Sequence, residues 1–306
     1  MDIRYLGGSG FLVTLGTTGL LFDASDLGEF PGILPSRQQL ASFTHLYVFI
    51  SQTEEGHYSP RIRDLVPSRA EFITSSDFPE EDGHRLAAGE SLTLDDLRVT
   101  AYDSTDQGVA FLVETAGVKI FHAGSLNLWH WRDISTVSEI EAAEKDFNAC
   151  LAAIPKNAID LAFFPVDPRQ GSMFDAGAGA FLMTVKPKLL IPMHFQDRAD
   201  AAHYFASTNE TNATRISVLE KADETLTISF PEEEDPDEPL PVQMPELPEQ
   251  AEPDEDSVPL PAEAEEGDGG LCPQAGPGGS PASPSSPLPA QQNSSTVSGS
   301  EASPET

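Results

Sequence analysis

The stretch Tyr47-Val-Phe-Ile-Ser-Gln-Thr-Glu-Glu-Gly-His-Tyr-Ser-Pro60 decides the fold of this chain. Its opening apolar run predicts a strand that is buried on both faces. A polar turn follows, with one histidine, His57, and then Ser59-Pro60 indicates the start of a short helix. This order of strand, polar loop, histidine and helix is the layout of a metal-site loop, but most of the expected ligand side chains are missing from it.

Composition divides the 306-residue chain near residue 230. Residues 231–306 contain 18 Asp and Glu, no Lys or Arg, 16 of the 26 prolines and no aromatic residue. Such a segment buries too little apolar surface to offset the entropy of ordering it, so we expect a disordered acidic tail, either solubilising or binding a basic partner. Residues 1–230, with 32 acidic and 17 basic side chains, are long enough for one sizeable domain. So acidic a chain is a poor candidate for binding nucleic acid.

Cysteine usage and hydropathy predict a cytoplasmic protein without membrane segments. Cys150 lies in a predicted helix and Cys272 in the tail, so neither a structural disulfide nor a thiolate zinc cluster is expected. The first residues lack the basic start and long apolar run of a signal peptide. No apolar run reaches the roughly 18 residues of a membrane span.

The predicted domain changes from strand-rich to alternating strand and helix. Residues 3–23 predict a β-meander, residues 24–42 a loop, and residues 92–121 three more strands. From residue 136 onward, helices with apolar residues every three to four positions alternate with buried strands. This order predicts two packed mixed sheets with helices outside, and functional side chains on the loops at strand ends. The polar residues that follow predicted strands include His57, Ser125, Asp167 and His194.

The order of these motifs over residues 2–230 resembles the metallo-β-lactamase superfamily, and most closely its small bacterial members described as hydrolases. The segments that carry the resemblance are residues 3–6, 9–13, 47–60, 104–113, 120–125, 164–169 and 191–195. The resemblance implies an α+β fold of the αβ/βα four-layer sandwich type. It also implies an ancestral hydrolysis that depends on two zinc ions sharing a hydroxide.

This chain departs from the ligand pattern of that superfamily at four positions. Gln52, Glu54 and Gly56 stand where the H-x-H-x-D-H loop has two histidines and an aspartate, and only His57 matches. Ser125 stands where an Ala-Gly-Asp motif supplies the aspartate that bridges both metals, and a neutral hydroxyl cannot replace that charge. We therefore expect no intact two-zinc centre, and a non-catalytic or weakly catalytic protein that binds a small molecule or another protein.

A hydrolase with a single metal ion is the alternative. Glu54, His57, Asp106 and His194 would supply two nitrogens and two carboxylates, a set that suits zinc, manganese or iron. Each of these residues also has a structural interpretation. The histidines would be remnants within the fold, and the two acidic residues would lie in solvated turns.

Three further residues are candidates for contact with a substrate. Trp129 and Trp131 follow the Ser125 turn, where they would cover the site or pack over the core. Arg169 would bind an anionic group, or pair with Asp167 or Asp175.

A serine nucleophile is not expected. Neither Ser51 nor Ser125 has a base partner that sequence spacing suggests. His122 lies three residues before Ser125, and strand alternation predicts that it points to the opposite side, so it is not counted as a ligand.

Overall fold

The computed structural model describes residues 1–79, 83–131 and 134–230. Within these residues the strands are β1 Asp2–Gly7, β2 Gly10–Leu15, β3 Thr18–Phe22, β4 His45–Ile50, β5 Glu71–Ser75, β6 His84–Leu86, β7 Ser91–Leu94, β8 Leu97–Asp103, β9 Val109–Thr115, β10 Val118–His122, β11 Leu161–Pro165, β12 Leu189–Met193, β13 Arg215–Ile216 and β14 Thr225–Thr227. The helices are α1 Arg37–Ser42, α2 Ile62–Leu65, α3 Val137–Ala153, α4 Ala176–Val185 and α5 Ala199–Asn209, with a 3-10 helix at Pro168–Met173.

The strands form two seven-stranded mixed sheets. The first sheet has the order β14-β1-β2-β3-β4-β5-β6, and the second has the order β13-β12-β11-β10-β9-β8-β7. In the first sheet β3 and β4 are parallel, and in the second β10, β11 and β12 are parallel. The carboxyl ends of parallel neighbours meet at one edge of a sheet, which is where polar loops gather in such folds.

The main core lies between the two sheets and is rich in aromatic side chains. Phe11 of β2 stacks on Phe163 of β11 with ring centroids 3.9 Å apart, and Phe22 of β3 stacks on His122 of β10 at 5.1 Å. Burying an aromatic ring of this size stabilises a fold by about 2–3 kcal/mol. These contacts lock the sheets face to face and thereby fix the relation between loops that belong to different sheets.

Helices cover the outer faces of both sheets. Phe181 of α4 stacks on Phe164 of β11 at 4.4 Å on the second sheet. A separate apolar cluster joins α1 and α2 to the first sheet through Leu40 and Ile62. The predicted α+β four-layer sandwich is therefore the fold of the chain. No helix in the described part of the chain is long and apolar enough to cross a membrane.

Helix α3 begins where the sequence pattern predicts, and α1 does not. Thr136 and Glu139 form a capping box at the start of α3. The prediction of a loop over residues 24–42 was wrong for Arg37–Ser42, where the Ser36 hydroxyl accepts a hydrogen bond from the backbone N–H of Gln39 and starts a helix. The predicted acidic tail, residues 231–306, lies outside the described residues.

Candidate functional site

Loops from both sheets meet at one edge of the sandwich and line a pocket of about 560 Å³. Asp23 directly follows β3, and the loop that holds His57 follows β4. In the second sheet Asp167 follows β11 and His194 follows β12. Among the residues singled out from the sequence, those that line the pocket are Glu54, Gly56, His57, Asp106, Ser125, Trp129, Trp131, Arg169 and His194.

Asp23 and His57 form a buried pair on the side of the first sheet. His57 Nδ1 lies 2.7 Å from Asp23 Oδ2, and both side chains are almost fully buried. Ser51 donates to the same carboxylate from its backbone N–H at 2.8 Å and from its hydroxyl at 2.6 Å. Burial acts to raise the pKa of Asp23, but its interactions with His57 and Ser51 outweigh this and lower that pKa. The carboxylate is therefore ionised and holds the His57 ring with Nδ1 as the donor.

Ser125 lies on the other side of the His57 ring. Its Oγ is 3.5 Å from His57 Nε2, and the side-chain amide of Gln52 donates to the same Oγ. The indole N–H of Trp129 donates to the Ser125 carbonyl oxygen at 2.7 Å and fixes the turn. Sequence spacing suggested no base for Ser125, whereas packing of the two sheets brings it close to His57, 68 positions away.

Gly124 makes the Ser125 turn possible. Its φ is +56°, and a Cβ added there would lie 2.9 Å from Ser51 Oγ and 2.8 Å from the Val109 carbonyl oxygen. A side chain at this position would therefore displace Ser51 and, through it, Asp23.

His122 lies behind the site and not in the pocket. Its Nε2 donates to the Ser9 carbonyl oxygen at 2.8 Å, and its Nδ1 accepts from the backbone N–H of Gly124 at 3.2 Å. Burial lowers the pKa of His122, so the ring is neutral. Because its Nδ1 is an acceptor, the 3.8 Å approach to Asp23 is not an ion pair.

Asp167 and His194 form the matching pair on the side of the second sheet. His194 Nδ1 lies 2.9 Å from Asp167 Oδ2, and Arg169 donates to the same carboxylate through Nη2 at 2.6 Å. Burial acts to raise the pKa of Asp167, but the hydrogen bonds from His194 and Arg169 lower it well below its usual range. Of the two roles considered for Arg169, the structure contains the pairing with Asp167. The guanidinium remains half-exposed at the pocket.

Glu54 and Asp106 line the pocket mouth as exposed side chains. Glu54 accepts a hydrogen bond from the Gln107 amide at 3.1 Å, and the backbone N–H of Asp106 contacts Ser104 Oγ at 3.4 Å. The rings of His57 and His194 lie next to each other, with their centroids 6.0 Å apart. Within the part of the chain that the structure describes, no three His, Cys, Asp or Glu side chains are grouped so that they could hold a metal ion.

The side chains present do not fit a two-metal centre. Such a centre needs histidines and a bridging carboxylate around a shared hydroxide. Here the bridging position is the Ser125 hydroxyl, and the Gln52 side chain is buried with its amide on that hydroxyl. Its Oε1 has no hydrogen-bond partner among the described residues, yet a single neutral oxygen is a weak ligand.

Asp23 is the functional residue that sequence reasoning missed. The β-meander predicted over residues 3–23 includes it as the last residue, whereas in the structure it stands just after β3, as Asp167 stands just after β11. The signal for Asp23 in the sequence is an aspartate that directly follows an apolar run. What could not be read from the sequence is that the carboxylate points toward the histidine of the next strand.

Comparisons with known proteins agree with this architecture. No family model matches the sequence. The chain is 25% identical to a UPF0173 metal-dependent hydrolase of Symbiobacterium thermophilum over 251 aligned positions, which cover 74% of this chain and 100% of that protein.

Solved structures share the fold at lower identity. Igni18, a metallo hydrolase from Ignicoccus hospitalis, superposes with a TM-score of 0.54 at 18% identity, over 75% of this chain and 98% of that one. A possible metal-dependent hydrolase from Veillonella parvula gives 0.51 at 13% identity, over 74% and 99%. Two packed mixed sheets with external helices and a polar edge define the metallo-β-lactamase fold. This chain therefore has an α+β sandwich fold of the metallo-β-lactamase type and is similar in sequence to a metal-dependent hydrolase.

Proposed function

We propose that this chain is a small-molecule binding member of its superfamily in which the two-metal centre has been lost and the usual metal-dependent hydrolysis is absent or weak. The observation that carries this proposal is the position of Ser125. Its hydroxyl accepts a hydrogen bond from Gln52 and lies 3.5 Å from His57 Nε2. Ser125 and Gln52 stand at the sequence positions where the superfamily pattern has a bridging carboxylate and a histidine. Neither side chain brings the negative charge or the imidazole that would hold a pair of divalent ions.

The charges around the pocket favour an uncharged or cationic ligand. Glu29, Glu54 and Asp106 line it, and Arg169, the one arginine among the described residues that line it, is already paired with Asp167. Anionic ligands would meet this acidic rim with little compensation from Arg169.

Two tryptophans supply apolar surface for such a ligand. Trp129 and Trp131 stack with ring centroids 6.4 Å apart, and Trp131 is 42% exposed. Exposed indole faces bind apolar groups and organic cations. The pocket therefore suits a small aromatic or alkylammonium compound.

Metal content tests this proposal directly. The full-length chain is equilibrated with excess zinc, manganese or iron, desalted, and analysed by plasma mass spectrometry. We expect well under one ion per chain. Two ions per chain would contradict the proposal, and so would hydrolysis of a β-lactam or lactone that requires the added metal.

A single-metal hydrolase is a second candidate, and one observation favours it. His57 and His194 both have Nδ1 on a buried carboxylate and line one pocket. Metal-binding histidines commonly have this arrangement, because the carboxylate orients the ring and makes the other nitrogen more basic. With Glu54 and Asp106 the set would hold one zinc, manganese or iron ion, which would supply Lewis-acid activation of a carbonyl.

The two candidates differ in what alanine substitution does. If one ion is held by both histidines, His57→Ala and His194→Ala each remove metal and activity together. If the first candidate holds, metal content is low before either substitution and remains unchanged after it.

A further inference from the structure

Asp23, His57 and Ser125 are arranged in line, with the His57 ring between the carboxylate and the hydroxyl. Asp23 Oδ2 is 2.7 Å from His57 Nδ1, and His57 Nε2 is 3.5 Å from Ser125 Oγ. With Nδ1 donating to the carboxylate, Nε2 is the nitrogen that carries the lone pair in the neutral ring. That lone pair faces the serine hydroxyl. The nucleophile, the base and the group that orients the base are thus in the order that serine hydrolases use on several unrelated folds.

We infer that Ser125, His57 and Asp23 form a metal-independent acyl-transfer site. Ser125 is the nucleophile, His57 is the general base and Asp23 is the positioning residue. This inference goes beyond binding, and it rests on the proposed loss of the two-metal centre. The reason is that a metal ion on His57 Nε2 would take the same lone pair that Ser125 needs.

Neighbouring side chains prepare the Ser125 hydroxyl for this role. The Gln52 amide donates to Oγ, so the hydroxyl proton is left to donate to His57. The Trp129 indole holds the Ser125 carbonyl oxygen, and the left-handed Gly124 forms the tight turn before it. The 3.5 Å separation is longer than an ordinary hydrogen bond, and catalytic hydrogen bonds commonly tighten when substrate binds.

Asp23 is equally well fixed before any substrate arrives. Ser51 donates two hydrogen bonds to it, and both carboxylate oxygens are used. A buried ionised carboxylate in this position holds the imidazole in one tautomer and stabilises the imidazolium that forms when His57 accepts a proton.

Ser125 and His57 both line the pocket, which is large enough for a small ester. The acidic rim and the two tryptophans favour an uncharged or cationic ester with an aromatic or apolar group. The reaction needs only water as a second reactant.

The atoms balance over two steps. His57 Nε2 takes the hydroxyl proton as the Ser125 Oγ–carbon bond forms. The bond from the carbonyl carbon to the alcohol oxygen then breaks, and His57 returns the proton to the leaving alcohol. In the second step His57 takes a proton from water as the water oxygen bonds to the acyl carbon. The bond from that carbon to Ser125 Oγ then breaks, the carboxylic acid leaves, and His57 returns the proton to Oγ.

The test uses the full-length chain after dialysis against a chelator, with p-nitrophenyl acetate as the substrate and an alkyl fluorophosphonate as the covalent probe. We expect turnover without metal, and one probe adduct per chain that maps to Ser125 as fluoride leaves. Ser125→Ala should lose the adduct and at least roughly 10³-fold in kcat/KM. Ser104→Ala, which changes a serine beside the pocket residue Thr105 and outside the group of three, should keep both.

Asp23→Asn tests the positioning role. We expect kcat to fall about 100-fold or more with KM unchanged, because the asparagine amide would favour the wrong tautomer of His57 while the pocket keeps its shape. A merely structural role would change KM and folded fraction together. Circular dichroism confirms folding of each variant, and Ser125→Cys, which keeps a nucleophile, should still react with an alkylating probe.

Failure of this inference can be told apart from failure of the proposed function. No adduct and no turnover in folded, metal-free protein would overturn the acyl-transfer site while leaving the loss of the metal centre intact. Activity that appears only with added metal and persists in Ser125→Ala would overturn it in favour of the single-metal candidate.

Discussion

The pocket has two halves that each contain a carboxylate–histidine pair and that differ in what surrounds the pair. In each half a carboxylate follows one strand, a histidine follows the parallel neighbour, and histidine Nδ1 lies on the carboxylate, at 2.7 Å for His57 with Asp23 and 2.9 Å for His194 with Asp167. In the first half the other nitrogen, Nε2, faces Ser125. In the second half the His194 side chain is 19% exposed, and its carboxylate is shared with Arg169 at the surface.

This difference lies in the half where the proposed function places the loss of the metal ligands. All four replaced ligand positions, Gln52, Glu54, Gly56 and Ser125, belong to the β4 loop or to the turn that faces it. None of those four positions lies in the second half. Both halves contain a carboxylate–histidine pair, and in the first half the other histidine nitrogen also faces a serine hydroxyl.

The largest expected effect separates the two histidines. His57→Ala removes the base and should lower metal-free esterase kcat/KM by at least roughly 10³-fold, whereas His194→Ala should change it by less than about 10-fold. Steady-state kinetics on p-nitrophenyl acetate measures both. Equal losses of kcat/KM from the two substitutions would contradict different roles for the two histidines. They would favour a metal ion held by both histidines.

Restoring the altered half should bring metal back. The combined variant Gln52→His, Glu54→His, Gly56→Asp and Ser125→Asp supplies the imidazoles and the bridging charge, and we expect it to retain one to two zinc ions per chain after desalting. The three loop substitutions without Ser125→Asp are the matched control and should retain less. If the full variant folds and still binds no zinc, the backbone of the site has changed as well as its side chains.

The two carboxylates should differ in their effect on stability. Asp23→Asn disturbs a fully buried set of hydrogen bonds to a charge and should lower the free energy of unfolding by about 2–3 kcal/mol. Asp167→Asn should cost about 1 kcal/mol less, because Arg169 and His194 are partly exposed and can be hydrated. Urea unfolding followed by tryptophan fluorescence gives both values. The reverse order would show that the second half is the more tightly built one.

The smallest expected effect is a pH dependence. The pKa of Asp167 is lowered in the folded state from an ordinary value of 3.8, so the folded state favours the ionised carboxylate. Its stabilising contribution is therefore complete above about pH 5 and is lost as pH falls below about 4 toward the lowered pKa. The difference in unfolding free energy between the wild type and Asp167→Asn should shrink over that interval. A difference that grows with acidification would contradict the direction of the pKa shift.

Sequence patterns were sufficient for the order of strands and helices and for the edge where the site forms. Buried strands that end in polar residues predicted that His57 and His194 would share that edge, because parallel strands finish together. Sequence patterns do not predict helix α1, because its N-cap Ser36 follows a stretch rich in proline and glycine that indicates a loop.

The approach of Ser125 to His57 could not be predicted in the same way. It depends on how the first sheet packs against the second, and no local spacing encodes that distance. Arg169 shows a related limit, since a residue two positions from Asp167 can either pair with it or point away. Only the turn at Pro168–Met173 decides between these outcomes.

The tautomer of His57 is the most direct test of the acyl-transfer site, because that site depends on the Nε2 lone pair facing Ser125. Long-range proton–nitrogen NMR of the metal-free chain labelled with ¹⁵N-histidine, with His57→Ala for assignment, reports which nitrogen carries the proton. We predict a proton on Nδ1 and a free Nε2 whose signal is unchanged by one equivalent of zinc. A zinc-induced shift of the His57 Nε2 signal, or a proton on Nε2 alone, would contradict the account.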